Sequence, residues 1–248
     1  MTAVVLIRHA EAHYRNSDGS YAPDGGLTSR GMTQAHALAD AVRGMQPSLV
    51  IASPMLRTRQ TASVAGLNAT LCDDLVEWHY RPYEQALAHG RPEADDPWWI
   101  WTQATRHQPH EPETLRQLGE RVDELIRTVT DTVGADGEAV LVSHGHLLRV
   151  MAARWIGLPP ITAAHLQIRP ASVGRLVADG ANRSIAAWNV PCGCAAEGRG
   201  DPWPAVGAVR SPLVPGQGLS RASRIMTVNC RNPGNGATDA RHSNPRRS

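Results

Sequence analysis

Three short apolar segments constrain the fold of this chain most strongly, because each is followed at once by a cluster of polar residues. They occupy residues 3–7 (AVVLI), 48–53 (SLVIAS) and 139–144 (AVLVSH). Their length and their branched side chains predict strands that are buried in a sheet. Apolar residues recur at helical spacing between them, most clearly over 113–133, and predict helices that cover the sheet. The alternation therefore predicts an α/β fold, a three-layer αβα sandwich with a mostly parallel central sheet.

The composition is compatible with one sizeable domain. Hydrophobic residues make up 42% of the 248 residues. No apolar run approaches the roughly 18 residues that a membrane helix requires. No basic region precedes the first apolar run, so we expect no signal peptide and no membrane association, and we predict a cytoplasmic location.

The last quarter of the chain has a different composition. From residue 191 onward Gly, Pro, Ser, Asn and Arg dominate, and the segment holds eight Arg against three acidic residues. We therefore predict a folded domain over 1–190 and a disordered tail over 191–248. A basic tail could contact nucleic acid, but this one lacks interleaved aromatic residues and any recognised motif. We do not expect a nucleic-acid partner.

The polar clusters after the predicted strands contain cations and imidazoles. Arg8 and His9 follow the first strand, Arg57 follows the second, and His144 follows the third. Because the carboxyl ends of parallel strands meet at one edge of a sheet, these side chains should converge. Arginine binds phosphate oxygens with a planar fork of donors, and a neutral imidazole can attack phosphorus. The cluster therefore predicts a site for a phosphoryl group, with a carboxylic acid nearby to protonate the leaving oxygen.

Five stretches, in order, resemble the motifs of one known family. They are LIRHAEA, LTSRGMTQA, SPMLRTRQTA, EPETLRQLGERV and VSHGH. From residue 3 to about 190 the chain resembles the histidine phosphatase superfamily, branch 1, whose members share a phosphoglycerate mutase-like fold. The resemblance implies hydrolysis of a small phosphorylated substrate through a phosphohistidine, with no cofactor.

The resemblance also implies roles for individual residues. In the phosphate pocket it assigns the nucleophile His9, the phosphate-binding Arg8 and Arg57, and His144, which would bind and stabilise the transferring group. LVEWHYRPYEQ resembles the family segment that carries the proton donor. This makes Glu77 the predicted acid, and Glu84 is the alternative.

The sequence departs from the family pattern at several positions. Ala10 stands where Gly is usual, which would cost on the order of 1 kcal/mol if the backbone there required a positive φ. The Asn that often follows the nucleophile by six places is replaced by Arg15. Asn16, one place later, is therefore a candidate phosphate-binding residue. Arg81 replaces a Gly in the loop of the acid, which leaves the orientation of Glu77 open.

Other motifs have simpler interpretations. The chain has 11 histidines, but no HExxH-type pair or carboxylate-rich cluster, so we expect no metal ion. The four cysteines are scattered and predict neither a disulfide framework nor a metal site. His146 is expected at a helix start rather than among the phosphate ligands. The tryptophans at 98, 99 and 101 either pack a lid onto the sheet or contact an apolar part of the substrate.

The sequence favours a phosphatase over two alternatives. A phosphoglycerate-type mutase would require extra basic residues and a longer insertion than the 67 residues that separate Glu77 from His144 (144 minus 77). A catalytically weak, phosphate-binding regulatory protein is the second alternative, but the core residues are all present. A neutral nucleophile and a protonated acid together predict a pH optimum of about 5 to 7. Sugar phosphates, phosphoglycerate derivatives, nucleotides and phosphohistidine proteins are all candidate substrates, and a homodimer is compatible with the sequence.

Overall fold

A six-stranded sheet forms the centre of the molecule. The computed structural model describes residues 1–80, 98–104 and 113–192, together with Gln85 and His89. The strands are β1 (Thr2–Arg8), β2 (Leu49–Ala52), β3 (Thr70–Leu71), β4 (Glu138–Ser143), β5 (Ser172–Asp179) and β6 (Asn182–Pro191). Each of the three predicted buried strands is present.

The strand order places the ends of three parallel strands side by side. The order is β3-β2-β4-β1-β5-β6, and the first four strands are parallel to one another. β5 pairs with β1 in the antiparallel sense, and β6 pairs antiparallel with β5 at the edge of the sheet. In the ladder between β1 and β4, Arg8 pairs with Ser143. The polar residues that follow both strands therefore emerge at the same edge.

Helices cover both faces of this sheet, which confirms the predicted three-layer α/β fold. They are α1 (Ser29–Val42), α2 (Leu56–Val64), α3 (Trp99–Ala104), α4 (Leu115–Val133) and α5 (Gly145–Trp155), and 3-10 turns occur at Asp73–Leu75 and Pro160–His165. Successive residues of a strand point to opposite faces. Val4 and Leu6 accordingly pack in a core with α4 and α5, and Val5 and Ile7 pack in a second core with α1 and α2.

A capping box explains why the long helix α4 begins where it does. Thr114 accepts a hydrogen bond from the backbone N–H of Gln117, and the Gln117 side chain accepts one from the backbone N–H of Thr114. This reciprocal capping box satisfies two backbone donors that the first turn would otherwise leave unpaired. The apolar stripe predicted from the sequence, including Leu118, Val122 and Ile126, is buried.

The sequence predicted no disulfide framework, and it did not anticipate a bond at Cys72. Cys72 is buried and disulfide-bonded. Cys192 is free. Sequence spacing does not reveal which cysteines approach in space, because folding can bring distant positions together.

Two further predictions concern membrane association and the end of the folded domain. None of the helices described is long and apolar enough to cross a membrane. The last strand ends at Pro191, close to the predicted domain end at 190. Apart from Pro191 and Cys192, the predicted tail lies outside the described residues.

Candidate active site

The candidate site is assembled at the carboxyl ends of β1, β2 and β4. His9 directly follows β1, and its backbone N–H donates to the carbonyl of Ser143 over 2.9 Å. Ser53 follows β2 in the same way and donates to the carbonyl of Val142 over 3.0 Å. His144 follows β4 and is the N-cap residue of α5. Sheet hydrogen bonding thus continues past the strand ends and fixes the backbone of the site.

His9 lies at the centre of the cluster, with only 2% of its surface exposed. Its Nδ1 lies 2.8 Å from the carbonyl oxygen of Ala10. A carbonyl oxygen only accepts hydrogen bonds, so Nδ1 carries the proton of the neutral ring and Nε2 keeps its lone pair. Burial, followed by the nearby charges of His144, Arg8 and Arg57, holds the pKa of His9 well below its usual value. The geometry and the electrostatics therefore both favour a neutral, nucleophilic imidazole.

His144 is fully buried, and its ring lies edge-on to that of His9 with 5.3 Å between the ring centroids. Its Nε2 lies 2.8 Å from Oγ of Ser53, and its buried Nδ1 has no hydrogen-bond partner within the described chain. Burial is the main cause that lowers the pKa of His144 to about 3, although the charge of Glu77 opposes the shift. At neutral pH this imidazole is uncharged.

Arg8 and Arg57 supply the positive charge of the site. Arg8 donates from an Nη atom to the carbonyl of Ile168 over 2.6 Å, and its guanidinium packs against Gly145. Arg57 is buried in the first turn of α2 and donates to the carbonyl of Pro23 over 2.9 Å. Each keeps a buried Nε that has no partner among the described residues. Both side chains are therefore anchored at one end and retain unused donors.

Glu77 lies at the N-terminus of α5. Its Oε1 accepts from the backbone N–H groups of Trp78 and Leu147, both at 3.0 Å, and its Oε2 accepts from that of His146 at 3.2 Å. Burial alone would raise the pKa of Glu77, but the charge and hydrogen bond of His146, the charge of His144 and the backbone N–H of Trp78 lower it. The resulting pKa lies well below the usual value. Without a bound phosphate the carboxyl is therefore ionised and caps the helix.

A clamp of side chains holds the segment that carries Glu77. Arg121 on α4 donates to the carbonyls of Asp74 and Val76 and forms a two-pronged ion pair with Glu113. Ser143 donates to the carbonyl of Leu75 over 2.7 Å. The indole N–H of Trp78 donates to the carbonyl of Glu113. The direction of this segment is consequently set by side chains rather than by the sheet.

Three other positions singled out in the sequence are Asn16, Glu84 and Ala10. Asn16 lies in an exposed loop, where its side-chain amide donates to the hydroxyl of Ser20 over 2.9 Å. The alternative acid Glu84 lies outside the described residues. Ala10 is buried and has no positive φ, so its side chain introduces no backbone strain. Its backbone N–H donates to the hydroxyl of Thr61 over 3.0 Å.

Sequence reasoning missed several residues that support the site. Ser53 and Thr61 both belong to the SPMLRTRQTA motif, and that motif was the available signal for them. Arg121 belongs to the EPETLRQLGERV motif, which was the available signal for it. Arg149 gave no signal, because arginine on a helix is usually solvated. Arg149 in fact donates to the carbonyls of Ala163 and Ala164 and lies 4.7 Å from the ring of Trp101.

The described residues contain no group of three or more His, Cys, Asp or Glu side chains that could hold a metal ion. The cluster itself brings together two guanidiniums, two neutral imidazoles and one carboxylate. Such a set can bind a phosphoryl group, attack it and exchange a proton with the leaving oxygen.

Comparison with known proteins agrees with this arrangement. The profile of the histidine phosphatase superfamily (branch 1) matches residues 4–191. An acid phosphatase of Mycobacterium tuberculosis is 30% identical over 179 residues, which cover 69% of this chain and 84% of that protein. A probable phosphoglycerate mutase of Shigella boydii is 26% identical over 186 residues, which cover 71% of this chain and 85% of that protein.

A solved structure shows the same architecture. A mycobacterial glucosyl-3-phosphoglycerate phosphatase in complex with VO3 is 26% identical, with a TM-score of 0.62, and the match covers 76% of this chain and 98% of that one. The family profile covers the sheet apart from the first two residues of β1, and it covers all the strand ends that form the cluster. The chain therefore belongs to branch 1 of the histidine phosphatase superfamily.

Proposed function

We propose that this phosphatase hydrolyses small phosphomonoesters without a metal ion, through a phosphohistidine intermediate on His9. One observation carries the proposal. The Nδ1 of His9 is bonded to the Ala10 carbonyl, so that the lone pair of Nε2 is available in a pocket containing Arg8, Arg57 and His144. A neutral imidazole among fixed donors is suited to attack on a phosphoryl group, whose charge those donors stabilise.

Three unpaired buried donors support a phosphate position beside His9. The Nε atoms of Arg8 and Arg57 and the Nδ1 of His144 have no partner within the described chain. Buried polar atoms are normally hydrogen-bonded, so these atoms are suited to bind phosphate oxygens. The Ser53 hydroxyl accepts from the backbone N–H of Met55 and can donate to Nε2 of His144, which would leave the His144 proton on Nδ1.

The reaction would proceed in two steps. In the first, Nε2 of His9 bonds to phosphorus, the phosphorus–oxygen bond to the alcohol breaks, and Glu77 gives its proton to the leaving oxygen. In the second, water attacks phospho-His9 and passes its proton to the Glu77 carboxylate, which releases phosphate and free His9. Glu77 must be protonated for the first step. The negative charge of a bound phosphate raises the pKa of a nearby carboxyl, because like charges oppose ionisation.

Several further assignments belong to the same proposal. Asn16 would have to exchange its bond to Ser20 for a bond to phosphate, and it stays a prediction, as does the alternative acid Glu84. The acid phosphatase and glucosyl-3-phosphoglycerate phosphatase relatives support a small phosphorylated substrate. The cytoplasmic location, the disordered tail over 191–248 and the possibility of a homodimer also stay predictions.

Phosphate release from p-nitrophenyl phosphate by the full chain, with EDTA present, tests the proposal. We expect activity that survives EDTA, is abolished in His9→Ala and is retained in His36→Ala, a matched change at an exposed histidine of α1. Loss of activity with EDTA would contradict the metal-free mechanism. Full activity in His9→Ala would exclude the covalent intermediate.

A further inference from the structure

The imidazole of His146 lies against the carboxyl group proposed as the acid. His146 is in the first turn of α5, as expected for a helix-start residue, and its Nδ1 lies 3.4 Å from Oε2 of Glu77. Its backbone N–H donates to the same oxygen. Both side chains are largely buried, with 17% of His146 and 24% of Glu77 exposed. One residue thus contacts Oε2 twice, through the backbone and through the ring.

Aromatic side chains fix the orientation of the His146 ring. The ring meets Trp78 edge-on at 6.2 Å and Trp101 at 5.5 Å between centroids. Trp101 is itself buried and lies under the guanidinium of Arg149. The Trp78 indole is tied to the carbonyl of Glu113. These contacts restrict rotation of the imidazole and keep Nδ1 facing Glu77.

We propose that His146 is the positioning residue and proton relay of Glu77, exchanging a proton between its Nδ1 and Oε2 during each catalytic cycle. The inference rests on the proposed function, because it assumes that Glu77 is the acid. It answers a need of that function, since a carboxylate bound by three backbone N–H groups requires a proton source before it can act as an acid.

The number of protons on His146 and Glu77 is the same at the start and at the end of one catalytic cycle. On substrate binding, a proton passes from Nδ1 of His146 to Oε2 of Glu77, so that Glu77 becomes the carboxylic acid. Glu77 then protonates the leaving oxygen as His9 bonds to phosphorus. Water attacks phospho-His9 and gives its proton to the Glu77 carboxylate. When phosphate leaves, the proton returns from Glu77 to Nδ1 of His146, and the starting arrangement is restored.

A relay and a merely structural residue differ in how they depend on the leaving group. A poor alkoxide leaving group requires the proton, whereas p-nitrophenolate leaves without much help. His146→Asn places an amide nitrogen near the position of Nδ1 and so keeps a hydrogen bond, but it cannot carry a proton to Glu77. General acid catalysis typically contributes about 10² to 10⁴-fold. We therefore expect the kcat of His146→Asn for an alkyl phosphate to fall about 100-fold, and that for p-nitrophenyl phosphate to change less than about threefold.

The test compares both substrates in the wild-type protein, in His146→Asn and in His36→Asn, the same change at an exposed histidine of α1. We expect a selective loss in His146→Asn alone. Equal losses on both substrates, or unchanged alkyl phosphate turnover, would overturn the relay while leaving the proposed function intact. Full activity in His9→Ala would instead refute the proposed function.

Rescue with imidazole provides a second readout if His146→Asn does not fold. His146→Ala removes the ring from between Trp78 and Trp101. We expect added imidazole to restore alkyl phosphate turnover at least about tenfold by supplying the missing proton carrier. Rescue by pyrrole, which has a similar shape but is not basic, would show that only the packing was replaced and would overturn the relay.

Discussion

The two ends of the candidate site are built in different ways. The phosphate end lies at the ends of three neighbouring parallel strands, with Arg57 on the helix that follows β2, and the sheet's hydrogen bonds continue into it through His9 and Ser53. The acid end consists of Glu77 on a segment outside the sheet. That segment is held by the side chains of Arg121, Ser143 and Trp78.

Under the proposed function, this difference separates binding of the reacting group from control of the proton. Backbone hydrogen bonds fix the phosphate end, so changing one of its side chains should alter chemistry more than position. Side-chain contacts fix the acid end, so changes there should alter the aim and protonation of Glu77. Variants at the phosphate end should therefore reduce turnover of every substrate, and variants at the acid end should discriminate between leaving groups.

The largest effect should come from Arg57→Ala. The variant removes a guanidinium from the phosphate end, and loss of one fixed donor to developing charge typically costs about 10² to 10³-fold in kcat. We expect this loss on alkyl and aryl phosphates alike, with the thermal unfolding temperature little changed. Steady-state kinetics beside Arg59→Ala, the neighbouring exposed arginine of α2, would check it. A loss confined to alkyl esters would contradict the division between the two ends.

Glu77→Gln should show the opposite pattern. It removes the transferable proton but keeps the size of the side chain, so the kcat/KM for alkyl phosphates should fall by about 10² to 10³-fold. The kcat/KM for p-nitrophenyl phosphate, which likewise reports only the steps up to formation of phospho-His9, should fall less than about tenfold. Glu120→Gln, at an exposed carboxylate of α4, is the matched control. Equal losses on both esters would exclude Glu77 as the acid and favour Glu84.

Arg121→Met should weaken the acid end without touching the reacting groups. It breaks a largely buried ion pair with Glu113 and removes two donors to the backbone beside Glu77. We expect a loss of about 2 to 3 kcal/mol in the free energy of unfolding. Alkyl phosphate turnover should fall about tenfold relative to aryl turnover. Arg127→Met removes an exposed ion pair of the same helix and should cost less than about 1 kcal/mol.

The smallest effect should be a pH dependence of stability arising at the phosphate end. His144 has a folded-state pKa of about 3, below its unfolded value of about 6.5. The unfolded chain therefore binds more protons as the pH falls below 6.5, and the folded state loses stability in that direction. This histidine should account for on the order of 2 kcal/mol between pH 7 and pH 5. Urea unfolding at both pH values should show a smaller difference for His144→Asn, and an identical difference would contradict a neutral, buried His144.

The same contrast explains what could be predicted from the sequence. The strands, the three-layer fold and the convergence of Arg8, His9 and His144 follow from apolar runs that end in polar residues, because parallel strands share an edge. The environment of Glu77 could not be predicted from these apolar runs. It depends on Arg121, His146 and Trp78, which come from separate elements, and no periodicity in the sequence links them.

The central claim is that the phosphoryl group is carried by His9, and trapping the intermediate tests it most directly. The full chain would be mixed with a ³²P-labelled phosphomonoester, denatured in alkali within its first turnover, and digested for peptide mapping. We predict an alkali-stable, acid-labile label on the peptide that contains His9, formed at least as fast as steady-state turnover, and no label in His9→Ala. Label on the peptide that contains His144, or turnover with no covalent label at any time, would contradict the account.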